Sequence, residues 1–214
     1  MKTMILTSTF HNGFTTDFSN ALVKLINKRE KFVLVASDFN NHEKSDSFKM
    51  HWLKCFAACG INFIHSYVVD ARMTTEMAQE TIMSADVFWL SGGNTREQFG
   101  YIESYGLLPM IKGYSGVTIG MSAGSMNMAK TAVCTVDRVK PEFLIYPAIG
   151  LVDITVEPHY NNRPFLDGLL KISNAYPLHG ISDDSFIIIE GDKISYVGDI
   201  FFIENENVKQ ISKF

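Results

Sequence analysis

A serine between two glycines stands at a strand-to-helix junction of the sequence. The segment Gly120–Gly124 (GMSAG) continues a β-rich run, Gly116–Gly120, and leads into residues of helical spacing. A G-x-S-x-G sequence in this setting is typical of a sharp turn that raises the serine hydroxyl above a sheet edge. The following helix would direct free N–H groups at a developing oxyanion. The pattern predicts Ser122 as a nucleophile for acyl transfer; the alternative is a serine that only caps the helix.

A second glycine turn, Gly92 and Gly93, follows the preceding predicted strand. Ligands of open α/β sheets bind at the carboxyl ends of the strands, which is where this turn would lie. A backbone N–H of Gly92 or Gly93 could bind an oxyanion together with the N–H of Ala123. The alternative is an ordinary strand-to-helix turn with Asn94 or Thr95 as the helix cap.

Serine is a weak nucleophile at neutral pH and needs a general base. Among the six histidines, His159 alone follows directly on the carboxyl end of a predicted strand, at the sheet edge that would also carry Ser122. We therefore predict His159 as the base, with His179 as the second choice. His11 and His42 lie in polar loops near sheet ends, where they could face a substrate.

An acidic side chain must orient the base. Asp137 lies between the predicted nucleophile and the predicted base in the chain and is the best-placed candidate. The alternative for Asp137 is an exposed loop carboxylate that pairs with Arg138. Asp183 and Asp184, in a turn before the last strands, are possible substitutes.

These residues carry a resemblance to a known family. The order Ser122, Asp137, His159, together with Gly92–Thr95 (GGNT) and Pro158–Tyr160 (PHY), resembles the peptidase E (aspartyl dipeptidase) family of serine peptidases, which are relatives of cyanophycinases. The resemblance implies a fold similar to class I glutamine amidotransferases, with serine in place of their cysteine. It also implies hydrolysis of a peptide bond in a very short substrate.

The resemblance also suggests how the substrate is held. Family members that cut after an N-terminal aspartate carry a basic residue beyond the histidine, and Arg163 is the candidate for that role here. A guanidinium suits bidentate binding of a carboxylate; the alternative is a surface arginine. Asn94 and Thr95, beside the second glycine turn, are the other predicted substrate contacts.

The elements that must position these residues alternate between short β-rich runs and stretches of helical spacing. This alternation predicts one α/β domain, residues 1–214, with a mostly parallel sheet flanked by helices. The helix after Ser122 is expected to run to about Ala132, and another helix to cover Pro164–Ser173. Gly191-Asp192 predicts a C-terminal antiparallel hairpin. Fifteen residues between Ser122 and Asp137 are too few for the strand–helix units of an ordinary α/β-hydrolase.

Composition limits the function classes. The chain has 214 residues, a net charge of −4 and an isoelectric point near 5.8, so we expect no nucleic-acid partner. We see no signal peptide and no apolar run long enough to span a membrane. Three cysteines are too few for a disulfide framework, and a cytoplasmic location follows as an expectation.

We expect no metal or cofactor. His51, Cys55 and Cys59 share one predicted helix, but no fourth ligand is evident, and cysteines packed as small apolar residues are the preferred interpretation. The expected partner is a small peptide substrate, bound by a monomer or homodimer. Two other functions remain open: a non-catalytic protein that binds a small ligand, and a hydrolase of another ester or amide.

Overall fold

The computed structural model describes residues 2–137, 142–160 and 166–213, without the side chains of Val136, Asp137 and Leu166. Arg163 lies outside the described residues, and its predicted contact with substrate stays a prediction. Within the described part, no helix is long and apolar enough to cross a membrane.

The described residues form thirteen strands and seven helices. The strands are β1 Thr3–Thr7, β2 Lys31–Val35, β3 His65–Val69, β4 Val87–Leu90, β5 Val117–Met121, β6 Thr131–Asp137, β7 Glu142–Pro147, β8 Thr155–Pro158, β9 Leu178–Ile181, β10 Phe186–Glu190, β11 Lys193–Val197, β12 Ile200–Glu204 and β13 Asn207–Ser212. The helices are α1 Thr16–Leu25, α2 His42–Ala58, α3 Thr75–Met83, α4 Thr95–Ser104, α5 Leu108–Gly113, α6 Ala123–Met128 and α7 Leu166–Ile172.

The main sheet has seven strands in the order β11-β10-β1-β5-β4-β2-β3. The five strands from β1 to β3 in this order run parallel, whereas β10 and β11 add an antiparallel hairpin beside β1. The predicted mostly parallel α/β fold and the C-terminal antiparallel strands are confirmed. Because β1, β5 and β4 are parallel neighbours, their carboxyl ends meet at one sheet edge.

Apolar packing on the sheet holds these strands in place. Every residue of β4 and β5 is buried, as expected for central strands that are covered on both faces. Trp52 of α2 stacks on Trp89 of β4 with 4.8 Å between ring centroids, and Phe18 of α1 packs edge-on against Phe186 of β10. Each such ring contributes about 2–3 kcal/mol by leaving water, so the aromatic residues fix the helices against the sheet.

A smaller sheet is formed by strands that follow Ser122 in the sequence, with the order β13-β12-β9-β8. In it β8 and β9 run parallel, so their carboxyl ends also lie side by side. A second apolar cluster packs near this sheet and comprises Val133, Tyr160, Leu169, Leu178 and Ile203. Tyr160, which directly follows His159, belongs to this cluster, whereas Val156 of β8 packs in the main core.

The helix after Ser122 is shorter than predicted. It ends at Met128 instead of Ala132, because Ala129 forms a β-bridge with Val152 and β6 begins at Thr131. The prediction did not include β6, β7, β9 or β13. These strands are defined by their pairing, β6 with β7, β9 with β8 and β12, and β13 with β12, and apolar spacing over a few residues does not reveal that pairing.

Candidate active site

Ser122 occupies the single residue between β5 and α6. Its backbone has φ 49° and ψ −109°, a conformation that non-glycine residues rarely adopt. The backbone N–H of Ser122 donates to the carbonyl oxygen of Thr7 at 2.9 Å, which ties this turn to β1. Such strain persists only where the surroundings enforce it, and it is the geometry that projects a nucleophile from a sheet edge.

The two glycines of the motif are required by close packing. A Cβ atom on Gly124 would lie 2.2 Å from the carbonyl oxygen of Leu90 in β4. A Cβ atom on Gly120 would lie 2.7 Å from the backbone nitrogen of Ser125 and 2.6 Å from Met128 Sδ. Since any side chain at these positions would collide with backbone atoms, the turn around Ser122 needs glycine on both sides.

Ser125 fastens this turn to its neighbouring strand, a role that sequence analysis missed. Its Oγ accepts a hydrogen bond from the N–H of Thr7 at 2.9 Å and lies 2.7 Å from the carbonyl oxygens of Thr7 and Gly120. The Ser125 side chain is fully buried. Because the two contacts with Thr7 join residues 118 positions apart, they depend on β1 lying beside β5.

His159 follows directly on β8 and faces Ser122. The distance from Ser122 Oγ to His159 Nε2 is 2.9 Å, within hydrogen-bond range for a nucleophile and its base. His159 has φ 58°, another left-handed backbone conformation in a non-glycine residue. The structure thus brings together the two residues that the sequence predicted as nucleophile and base, although they lie 37 residues apart.

The other ring nitrogen of His159 faces a carboxylate. His159 Nδ1 lies 2.8 Å from Asp183 Oδ1, and a carboxylate can only accept, so Nδ1 carries the proton. In neutral His159 this leaves Nε2 unprotonated and able to accept the proton of Ser122. The structure therefore sets the imidazole in the tautomer that a general base requires.

Asp183 is held in its ionised form by three donors. Burial by itself would raise the pKa of Asp183, but hydrogen bonds from Ser8, His11 and His159 outweigh burial and hold that pKa below its ordinary value. Ser8 Oγ donates to Oδ1 at 2.6 Å, and His11 Nε2 donates to Oδ2 at 3.0 Å. A carboxylate that stays ionised can stabilise an imidazolium at His159.

The acidic residue in contact with His159 is therefore Asp183, which the sequence analysis gave, with Asp184, as a possible substitute for Asp137. Asp137 ends β6 opposite Glu142, but its side chain is outside the described part of the structure, so its predicted role is untested by these contacts. Asp184 has φ 65° and its N–H donates to the carbonyl oxygen of Thr9. Among the described side chains, Asp183 makes the contact that was expected of Asp137.

The second glycine turn lies beside Ser122. A Cβ atom on Gly92 would lie 3.6 Å from Ser122 Cβ, and Gly93 has φ 146° and packs against Ser37. No described residue accepts a hydrogen bond from the N–H of Gly92, Gly93 or Ala123. Ala123 is buried, so its donor is available only to a group inside the site.

Asn94 and Thr95 make contacts within the protein. The Asn94 side chain caps α4 by accepting from the N–H of Glu97 at 3.2 Å. Thr95 Oγ1 lies 3.7 Å from Met126 Sδ, and the Thr95 carbonyl accepts from the Asn127 side chain at 2.9 Å. Asn94 therefore has the capping role that sequence analysis gave as the alternative, and its predicted contact with substrate stays untested.

The remaining histidine and cysteine candidates lie elsewhere. His179, the second choice of base, is buried in β9, where its Nε2 lies 3.3 Å from the hydroxyl of Tyr196, and burial lowers its pKa. His51 Nε2 and Cys55 Sγ are 3.7 Å apart, and Cys59 Sγ donates to the carbonyl oxygen of Phe56. Across residues 2–137, 142–160 and 166–213, no group of three or more His, Cys, Asp or Glu side chains is arranged so that it could hold a metal ion.

A serine at a strained strand-to-helix turn, paired with a histidine above the edge of a mostly parallel sheet, defines a class of serine hydrolases. Comparison with known proteins narrows the class. Residues 4–197 match the model of peptidase family S51, and the chain belongs to that family. It is a serine peptidase with a peptidase E-like fold.

Similar proteins carry peptidase names. Peptidase E of Shewanella baltica is 30% identical over a 135-residue alignment, which covers 56% of this chain and 57% of the relative. An uncharacterized peptidase of Pasteurella multocida is 28% identical over 137 residues, 57% of this chain and 62% of the relative. The matched part thus spans less than two thirds of either relative. The crystal structure of a putative peptidase E of Listeria monocytogenes has a TM-score of 0.69 at 22% identity and covers 92% of this chain and 98% of its own.

Proposed function

We propose that this peptidase hydrolyses short peptides, such as dipeptides with an N-terminal aspartate, through an acyl-enzyme formed on Ser122. One observation carries the proposal: Ser122, His159 and Asp183 form a continuous hydrogen-bonded chain with distances of 2.9 and 2.8 Å. In this proposal Ser122 is the nucleophile, His159 the general base and Asp183 the orienting acid. Asp183 thereby takes the place that sequence analysis gave to Asp137.

The reaction would proceed in two halves. Ser122 Oγ attacks the scissile carbonyl carbon while His159 Nε2 takes its proton, and the protonated His159 then gives that proton to the leaving amine. A water molecule next attacks the acyl carbon while His159 Nε2 takes its proton. The bond between the acyl carbon and Ser122 Oγ then breaks, His159 returns the proton to Ser122 Oγ, and the free acid leaves. Asp183 stays ionised throughout and stabilises the imidazolium without taking its proton.

Backbone donors at the site suit the negative charge that develops on the carbonyl oxygen. The N–H of Ala123 belongs to the first residue of α6, and the N–H groups of Gly92 and Gly93 lie on the neighbouring turn. Since these groups donate to no described residue, they are free to bind an oxyanion. Fixed donors of this kind typically contribute about 3–4 kcal/mol each to transition-state binding.

The substrate class rests on the family. Membership of family S51 and relatives named peptidase E support a short peptide substrate, and the resemblance to aspartyl dipeptidases supports an N-terminal aspartate. Arg163 is our candidate to bind the aspartate carboxylate. Three cysteines that are all free thiols are compatible with a reducing cytoplasm, where we place the reaction. We propose a monomer or homodimer as the active species.

The test is release of free amino acids from a panel of dipeptides, with Asp-Leu beside substrates that have neutral and basic N-terminal residues. Wild type should cleave at least one of them, and Ser122→Ala should lose on the order of 10⁶ in turnover. Thermal unfolding of Ser122→Ala at the wild-type temperature would show that the fold is intact. Cleavage by the variant at more than a trace would rule out Ser122 as nucleophile.

Absence of cleavage by either protein would rule out the dipeptidase proposal. Ester substrates and longer acidic peptides would then separate the remaining alternatives, a hydrolase of another ester or amide and a protein that only binds a small ligand. Reaction of Ser122 with a small fluorophosphonate, detected by mass spectrometry, would favour the hydrolase.

A further inference from the structure

The two oxygens of Asp183 have different partners. Oδ1 accepts from His159 Nδ1 and from Ser8 Oγ, whereas Oδ2 lies 3.0 Å from His11 Nε2. Because a carboxylate only accepts, the Nε2 atom of His11 must carry a proton in this contact. The hydrogen-bonded chain from Ser122 through His159 and Asp183 therefore continues to a fourth side chain, His11.

We propose that His11 is a positioning residue of the hydrolysis, which fixes the plane of the Asp183 carboxylate and limits the negative charge available to His159. This inference rests on the proposed function. His11 does not touch the reacting atoms and acts only through Asp183.

The geometry explains why a second anchor is needed. Rotation of an aspartate carboxylate about its Cβ–Cγ bond is only broadly restricted, so contacts at Oδ1 alone leave the plane of the group free to turn. A donor at Oδ2 removes that freedom and keeps Oδ1 on His159 Nδ1. The His11 side chain is 64% exposed, whereas that of Asp183 is 13% exposed. Because the imidazole of His11 stays largely in water, its pairing with Asp183 adds little to stability. Its effect should therefore be on catalysis more than on folding.

Ser8 supplies a complementary anchor on the other side of the site. Its Oγ accepts from the backbone N–H of His159 at 2.8 Å and donates to Asp183 Oδ1 at 2.6 Å. Ser8 is fully buried, and the residue that it holds, His159, has the left-handed backbone described above. Ser8 thus fixes the histidine backbone and one carboxylate oxygen, and His11 contacts the other oxygen.

His11 also lines a surface cavity of about 410 Å³ with His51, Lys54 and Cys55. This cavity therefore offers His51 as a matched control for substitutions at His11.

The experiment compares His11→Ala, His11→Gln and the control His51→Gln, on whichever dipeptide wild type cleaves. His51 lines the same cavity, and its described contacts are with Cys55 and Trp52. We expect His11→Ala to lower kcat roughly tenfold with little change in KM, as for the loss of one hydrogen bond to a charged group. A glutamine amide can replace that bond, so His11→Gln should recover most of kcat.

Rescue by glutamine gives a second readout. Glutamine donates the same bond, so kcat of His11→Gln should lie close to that of wild type, whereas His11→Ala should keep a low kcat with a nearly unchanged KM. Wild-type kcat in His11→Ala would overturn the inference, as would an equal loss in His51→Gln. If wild type is inactive, the proposed function fails; if only Ser122→Ala is inactive and His11→Ala is normal, this inference alone fails.

Discussion

Asp183 and His159 lie 24 residues apart in the chain and 2.8 Å apart in the structure. The contact arises because β8 and β9 run parallel and end side by side, with Pro158 opposite Ile181. Each strand is followed within two residues by one member of the pair. Two ordinary strand ends in the smaller sheet thus place a carboxylate against an imidazole, while Ser122 approaches the same imidazole from the main sheet.

The identity of the acid is the first prediction. Asp183→Asn should lower kcat by about 10⁴, because an asparagine at this position can stabilise the wrong imidazole tautomer and carries no charge. Asp137→Asn should retain most of kcat, because His159 Nδ1 already bonds to Asp183. Steady-state kinetics of both variants on one dipeptide measures the difference. A large loss in Asp137→Asn with normal activity in Asp183→Asn would restore Asp137 as the acid.

The second prediction concerns acid stability. The pKa of Asp183 lies below its ordinary value in the folded chain, so folding is stabilised above the unfolded pKa of about 3.9 and loses that stabilisation as pH falls through the folded pKa. The difference in unfolding free energy between wild type and Asp183→Asn should therefore shrink below about pH 4. Urea unfolding of both proteins from about pH 6 to about pH 3 measures it. A difference that stays constant across this range would contradict the prediction.

The third prediction contrasts two glycines. Gly124→Ala should destabilise the protein by about 1–3 kcal/mol or more and reduce activity, because the new methyl group meets the backbone of Leu90. Gly100→Ala is the matched control, since Gly100 lies within α4 and nothing is within 4 Å of an added Cβ. The control should gain up to about 1 kcal/mol from helix propensity.

Chemical denaturation followed by circular dichroism compares the two alanine variants, and dipeptide hydrolysis reports on the site. Wild-type stability in Gly124→Ala would show that α6 can move away from β4. A destabilised Gly100→Ala would show that the effect of added methyl groups is general and not due to the contact with Leu90.

Local sequence patterns were sufficient to predict the strand-to-helix turn at Ser122 and the general fold. A strand that runs through glycine and serine into a helix requires only a few adjacent residues, and the structure places Ser122 at such a turn. The hairpin at Gly191-Asp192 was predicted for the same reason, and it joins β10 to β11. The end of α6 was wrong by four residues, since pairing with a distant segment stopped the helix.

By itself the sequence determined the class of fold, the strand-to-helix turn at Ser122 and the strand end followed by His159, because each depends on neighbours in the chain. Only the tertiary structure decided that Asp183 contacts this histidine and that Ser8 and His11 complete its surroundings. Ser8 and His11 follow β1, and their proximity to Asp183 comes from β10 pairing with β1 across the sheet. Strand order is set by packing of the whole domain, so residue spacing along the chain does not contain it.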